Sequence, residues 1–143
     1  MKLRLSLVLV AALAGSIGAV ERAAAHGDVA PQPVDTAGLK PLGDEMFETN
    51  PYRDTPDYPR AQEIGAKAFN QNCARCHGLG AVSGGIAPDL RYLVPGDDDE
   101  YFYGRVMSGS VRNGVTYMPP FGEIFSQEAI WSIRSWLDSV HVE

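Results

Sequence analysis

Cys73-Ala74-Arg75-Cys76-His77 decides the reading of this chain, because it holds both cysteines of the sequence and one of its three histidines. Cys-x-x-Cys-His is the attachment pattern of c-type haem. Two thiols add across the vinyl groups, and the following histidine turns back to bind iron. The spacing suits that chemistry: one helical turn separates the cysteines, so both sulfurs reach one porphyrin edge. Three other chemistries share the residue types. A Cys73–Cys76 disulfide fits an oxidising compartment. A thioredoxin-like dithiol expects alternating strand and helix around it, which is missing here. A zinc site needs two further ligands, and His26 and His141 are the remaining nitrogen donors, both far off in sequence.

Outward from the motif, the 143 residues suffice for one domain. Residues 1–25 read as a secretory signal peptide. Lys2 and Arg4 form the basic region, Leu5 to Val20 the apolar one, and Ala23-Ala24-Ala25 the cleavage signal before His26. The run is short for a membrane span and lacks a basic flank on its far side. Export agrees with the motif, since c-type haem is attached outside the cytoplasm. With both thiols tied to haem, the covalent cofactor does the stapling that a small exported domain needs. The whole chain carries −6, and losing Lys2, Arg4, Glu21 and Arg22 with the leader leaves about −8. That charge argues against nucleic acid and anionic membrane surfaces as partners.

Residues 26–57 read as an irregular arm. Pro31, Pro33, Pro41, Pro51 and Pro56 bar a continuous helix, yet Leu39, Leu42, Met46, Phe47 and Tyr52 are apolar enough to lie over the domain that follows. Residues 58–143 form that domain. Pro59 opens a helix whose Ala61, Ile64, Gly65, Ala68 and Phe69 make one apolar stripe, and this helix delivers Cys73 to His77 at its end. Asp97-Asp98-Asp99-Glu100 reads as a capped helix start, with Asp97 as the cap and Glu100 at the third position; a metal or docking role is the alternative. The helix is expected over 98–107 and a loop over 108–125. Ser126 caps a last helix with Ala129, Ile130, Ile133, Trp136, Leu137 and Val140 on its inner stripe. The prediction is a small all-α domain completed by porphyrin.

His77 is expected to bind iron through one ring nitrogen while the other finds an acceptor, for which a carbonyl near Pro88 is the candidate. On the opposite face Met118, in Tyr117-Met118-Pro119-Pro120-Phe121, is the expected ligand. It lies in a loop between two helices that the prolines stiffen. Met46 in the arm, Met107 on a helix among apolar neighbours, His26 at the mature N-terminus and His141 near the C-terminus are the competitors. A Met/His pair saturates the iron and raises its potential, which leaves one-electron transfer as the chemistry.

In these landmarks the chain resembles class I cytochrome c. Cys73-Ala74-Arg75-Cys76-His77, Ala87-Pro88-Asp89-Leu90, Met118-Pro119 and a C-terminal helix with an aromatic residue occur in that order. The resemblance implies three main helices around one covalent haem c, with the first helix at Gly65 and Phe69 crossing the last at Ile133 and Trp136. It also implies the Pro88 carbonyl as partner of His77 and Met118 as distal ligand. The arm, from His26-Gly27-Asp28-Val29 to Pro41-Leu42-Gly43 and then Asn50-Pro51-Tyr52-Arg53, is similar to that of the periplasmic c-550-type cytochromes. These accept electrons from PQQ-dependent quinoprotein ethanol or alcohol dehydrogenases. This likeness implies a soluble, monomeric, periplasmic carrier in ethanol oxidation that passes electrons from such a dehydrogenase toward a terminal oxidase or another cytochrome. Two other classes stay open at the level of sequence: a haem subunit held by another periplasmic oxidoreductase, and a small haem peroxidase or ligand sensor with an open sixth position.

Overall fold

The computed structural model describes residues 30–143; the stretch read as a signal peptide, 1–25, and His26 lie outside the described residues. Four helices and one hairpin follow the arm: α1 Tyr58–Asn72, α2 Ala74–His77, α3 Asp99–Ser108, β1 Ser110–Arg112, β2 Val115–Met118 and α4 Gln127–Ser139. Single 3-10 turns at Leu79–Ala81 and Leu90–Tyr92 punctuate the loop between α2 and α3. Among the described residues no helix is long and apolar enough to cross a membrane.

α1 begins with Pro59 in its first turn, where its missing N–H costs nothing. Its buried face is Ala61, Ile64, Gly65, Ala68 and Phe69, joined by Asn72. This face meets α4. A Cβ on Gly65 would collide with the Ser132 carbonyl of α4, so glycine is what lets the two backbones touch. Beside that contact the Phe69 and Trp136 rings lie 4.5 Å apart between centroids, and Ile133 is buried. Each fully buried large apolar side chain there contributes roughly 1.5–3 kcal/mol. Ser126 caps α4, its hydroxyl accepting the Ala129 N–H at 3.4 Å.

Three expectations need correction. First, α4 has more than one buried stripe: Trp131, Ser132, Arg134 and Ser135 are buried as well. α3 and the arm share this second face: Trp131 stacks on Tyr103 of α3, and Ser135 accepts from the Asn50 amide of the arm. Tyr52 is buried, and Val34, Leu39, Leu42 and Phe47 pack on the main core. Several of the arm's backbone polar groups are satisfied by side chains of α4 and α1, Gln32 N–H donating to Asn72 at 2.7 Å. Leu42 N–H donates to Glu128 at 2.8 Å, and the Gln127 amide donates to the Gly43 and Glu45 carbonyls.

Second, the acidic run is not a capping box. Asp98 stands at the cap position without a side-chain cap bond, and its carboxylate instead accepts the Val94 N–H at 2.7 Å. Asp99 turns inward and is fully buried against Arg134 of α4 at 2.6 Å, with Arg53 of the arm at 2.8 Å and the Asn50 N–H at 2.9 Å. A buried guanidinium needs a carboxylate far more than a helix end needs a cap, and that decides which way Asp99 faces. Asp138 completes the network, accepting from Arg53 and from the Tyr58 hydroxyl. Among the described residues no cluster of three or more carboxylate, imidazole or thiol groups is placed to hold a bare metal ion.

Third, the stretch expected as a loop contains an antiparallel hairpin, with Val111 opposite Thr116 and Arg112 opposite Val115. Asn113 and Gly114 form its two-residue turn with φ of 51° and 77°, the positive values that a tight hairpin of this hand requires.

Candidate haem-binding site

The motif is shaped by one backbone element. Cys73 ends α1, its N–H bonded to the Phe69 carbonyl at 2.7 Å, and its own carbonyl accepts the N–H groups of Cys76 and His77 at 3.1 and 3.0 Å. The two thiols therefore sit one turn apart on a short helix. The next residue must be glycine: Gly78 has φ of 83°, and a Cβ there would run into the Val82 carbonyl. Burial, with the neighbouring Cys76 adding to it, pushes the Cys73 thiol up to about 12. A redox dithiol works through a depressed, exposed thiolate, so this environment opposes the thioredoxin-like reading.

His77 Nδ1 lies 2.8 Å from the Pro88 carbonyl oxygen. A carbonyl only accepts, so Nδ1 carries the proton and Nε2 keeps its lone pair for a metal. Asp89, next in sequence, accepts from the Arg91 guanidinium at 3.0 and 2.8 Å, and from the amides of Arg91 and Ser83. The Arg91 side chain is the main reason its carboxyl lies well below the usual range; a burial penalty opposes it, and the two amides reinforce it.

Met118 ends β2, half-buried, opposite Ser110. It packs on the same hydrophobic cluster as Cys73, Ala74 and Leu90. Its loop is held from behind. A Cβ on Gly109 (φ 68°) would clash with the Met118 carbonyl and the Pro119–Pro120 link, and the N–H groups of Phe121 and Gly122 donate to Val106 and Met107 at 3.0 and 3.2 Å. The competing side chains are placed elsewhere. Met107 lies against Gly122, Met46 is 65% exposed on the arm, and His141 Nδ1 is bonded to the Arg91 carbonyl.

Two thiols, an imidazole with a fixed tautomer and a thioether on the same hydrophobic cluster would suit a covalent haem. The surroundings fit a large apolar macrocycle as well. Leu79, Val82, Ile86, Tyr92 and Val94 follow the histidine, Val111, Val115 and Tyr117 precede the methionine, and all present bare apolar surface. The second group rides on the hairpin, whose signal in the sequence is the Asn113-Gly114 pair.

Geometry of this kind defines a c-type cytochrome. A family model described as "Cytochrome C oxidase, cbb3-type, subunit III" matches residues 60–137. Cytochrome c550 of Pseudomonas aeruginosa is 60% identical over 123 residues, covering 85% of each chain. The quinohemoprotein alcohol dehydrogenase ADH-IIG of Pseudomonas putida is 38% identical over 99 residues, which are 65% of this chain but 13% of that enzyme. The cbb3-type cytochrome c oxidase subunit FixP of Rhizobium meliloti is 31% identical over 93 residues, 56% of this chain and 30% of that subunit. No solved structure matches the chain at the level these relatives do. The chain belongs to the class I c-type cytochromes of the c-550 type. It is a mono-haem electron-transfer protein, and its cofactor is haem c.

Proposed function

We propose that this cytochrome is an exported, periplasmic, diffusible one-electron carrier that takes electrons from a quinoprotein alcohol dehydrogenase and passes them toward a terminal oxidase or another cytochrome. Cys73 and Cys76 would form the thioethers, and His77 Nε2 and Met118 Sδ would hold the iron. When bound, haem supplies reversible one-electron chemistry between ferric and ferrous iron. The chain's own residues keep that chemistry narrow. His77 is held by the Pro88 carbonyl, and Met118 is fixed by the Gly109 contact and the two prolines after it, so redox change needs little rearrangement.

The similarity to a short stretch of a quinohemoprotein alcohol dehydrogenase carries the donor assignment. Where that enzyme has a cytochrome-like segment in its own chain, the protein described here offers a free-standing counterpart. Similarity to a cbb3 oxidase subunit supports the acceptor in the same way.

Docking uses the apolar rim at Ala81 to Ile86 and Val115 to Met118, where Ile86 and Tyr117 are 79% and 66% exposed. Residues 101–122 contain no carboxylate, and 71–96 contain only Asp89, which Arg91 neutralises. The segments that carry the rim are therefore nearly free of unpaired carboxylate, and Arg75 and Arg112 within them are exposed. A small wet contact of this kind suits rapid exchange.

The test is anaerobic mixing of the oxidised cytochrome with a PQQ-dependent ethanol dehydrogenase and ethanol. Stoichiometric reduction that requires both enzyme and substrate is the expected result. An oxidised spectrum unchanged over many enzyme turnovers with a dye acceptor would remove this donor.

A further inference from the structure

The Pro88 carbonyl is held in place by parts of the chain for which electron transfer alone gives no reason. Between His77 and Pro88 the backbone is glycine-rich and bent. Gly78, Gly80 and Gly85 take φ of 83°, 66° and 94°, and Ala81, without glycine's freedom, sits at 61°. Such a loop does not keep a carbonyl at hydrogen-bond distance from an imidazole by its own stiffness.

Two sets of ties do so instead. On one side the Asp89 carboxylate gathers four N–H donors: Ser83 N at 3.2 Å, Arg91 N at 3.1 Å, and Arg91 Nε and Nη2 at 3.0 and 2.8 Å. The Ser83 hydroxyl donates to the Ala87 carbonyl and accepts the Gly85 N–H, closing the loop onto the residue before Pro88. On the other side the Arg91 carbonyl accepts the Val142 N–H at 3.0 Å and His141 Nδ1–H at 2.8 Å, which fastens the segment to the chain beyond α4. Pro88 is thus held through both of its neighbours, and one of the anchors comes from fifty residues away.

We propose that the Asp89–Arg91 pair, tied to the end of α4 through the Arg91 carbonyl, is a positioning device that sets the strength of the His77 hydrogen bond and through it the reduction potential. This rests on His77 as an axial ligand. A firmly placed acceptor on Nδ1–H raises the basicity of the imidazole and favours the ferric state; a loosened acceptor favours the ferrous state. Asp89 and Arg91 act through Pro88 and His77 and are positioning residues. The Arg91 guanidinium favours ionisation of Asp89, consistent with a carboxylate that stays charged throughout the working pH range.

The test compares the purified holo-protein with Asp89→Ala, Asp89→Asn and His141→Ala, and with Asn50→Ala as a destabilised variant remote from this loop. Reduction potential, exchange of the His77 Nδ1 proton by NMR and melting temperature are measured on each. Asp89→Ala is expected to shift the ferric–ferrous equilibrium about three- to tenfold toward ferrous, an upward shift of about 30–60 mV at 59 mV per decade. Proton exchange should quicken by a similar factor or more. Asp89→Asn still accepts from the Ser83 amide but carries no charge for Arg91, so it falls in between and keeps the test open if the alanine variant fails to mature. His141→Ala gives a smaller shift in the same direction, and Asn50→Ala lowers the melting temperature at unchanged potential. A lowered melting temperature in both Asp89 variants, with potential and proton exchange at wild-type values, would overturn the proposal and leave a purely structural clamp. A spectrum indifferent to His77→Ala would instead overturn the axial-ligand reading itself.

Discussion

Asp99→Ala is the substitution whose consequence the structure sets most firmly. Asp99 and Arg134 are both fully buried, 2.6 Å apart, and the same carboxylate accepts from Arg53 and from the Asn50 N–H. Removing it leaves the buried Arg134 guanidinium with only the longer contact to the Asp138 carboxylate at 3.4 Å, a loss of roughly 3–5 kcal/mol. At about 4 °C per kcal/mol for a domain of this size, the melting temperature should fall by about 12–20 °C. Removing both charges should be much milder: Asp99→Leu with Arg134→Leu should recover at least half the loss, since an apolar pair has no desolvation penalty to offset. Guanidinium unfolding of the oxidised holo-protein, as a double-mutant cycle, reads both numbers. The acid limb gives an independent check. Burial opposes ionisation of Asp99, but the hydrogen bonds from Arg53, the Asn50 amide and Arg134 outweigh it and hold the carboxyl at about 2. A folded-state value below the unfolded one of about 4 stabilises the protein above that unfolded value, by roughly 2 kcal/mol, and the contribution disappears as pH falls from 4 toward 2. Wild type should lose stability in that window more steeply than the double variant. A loss under about 1 kcal/mol for Asp99→Ala, with equal acid limbs, would refute the view that this network joins the arm to the helices.

Gly65→Leu, forced against the Ser132 carbonyl, should separate α1 from α4 and cost at least about 3 kcal/mol, or prevent haem maturation, whereas Ala66→Leu on the same helix should be tolerated within about 1 kcal/mol by chemical denaturation. Reduction of the cytochrome by its donor should depend on ionic strength, and the salt slope should change in Arg75→Glu/Arg112→Glu; stopped-flow rates that are flat with salt in both proteins would count against charged docking.

Much of this fold could be read from local pattern. The haem motif is five consecutive residues with a fixed chemistry, and the stripes of α1 and α4 repeat at the helical period, so their apolar faces are visible without knowing what they meet. What escaped reading was non-local. Asn50 bonds to Ser135 and Arg53 reaches Asp138, across some eighty-five residues, and no periodicity announces such pairs. Asp99 looked like one acid among four; only the single arginine on the hidden face of α4 distinguishes it. The hairpin was signalled by Asn113-Gly114, but its strands of three and four residues are too short to show alternation. Within the site, the His77–Pro88 bond was foreseeable from the sequence landmarks, while the His141 and Val142 ties to the Arg91 carbonyl behind it depend on where the chain beyond α4 lands.

The central claim is an iron closed on one face by His77 and on the other by Met118, and the visible absorption spectrum of the oxidised protein tests it most directly, read beside that of Met118→Ala. A low-spin wild type that becomes high-spin and binds added imidazole or cyanide readily in the variant is the predicted result. A wild-type spectrum that is already high-spin, or one that Met118→Ala leaves unchanged, would contradict it.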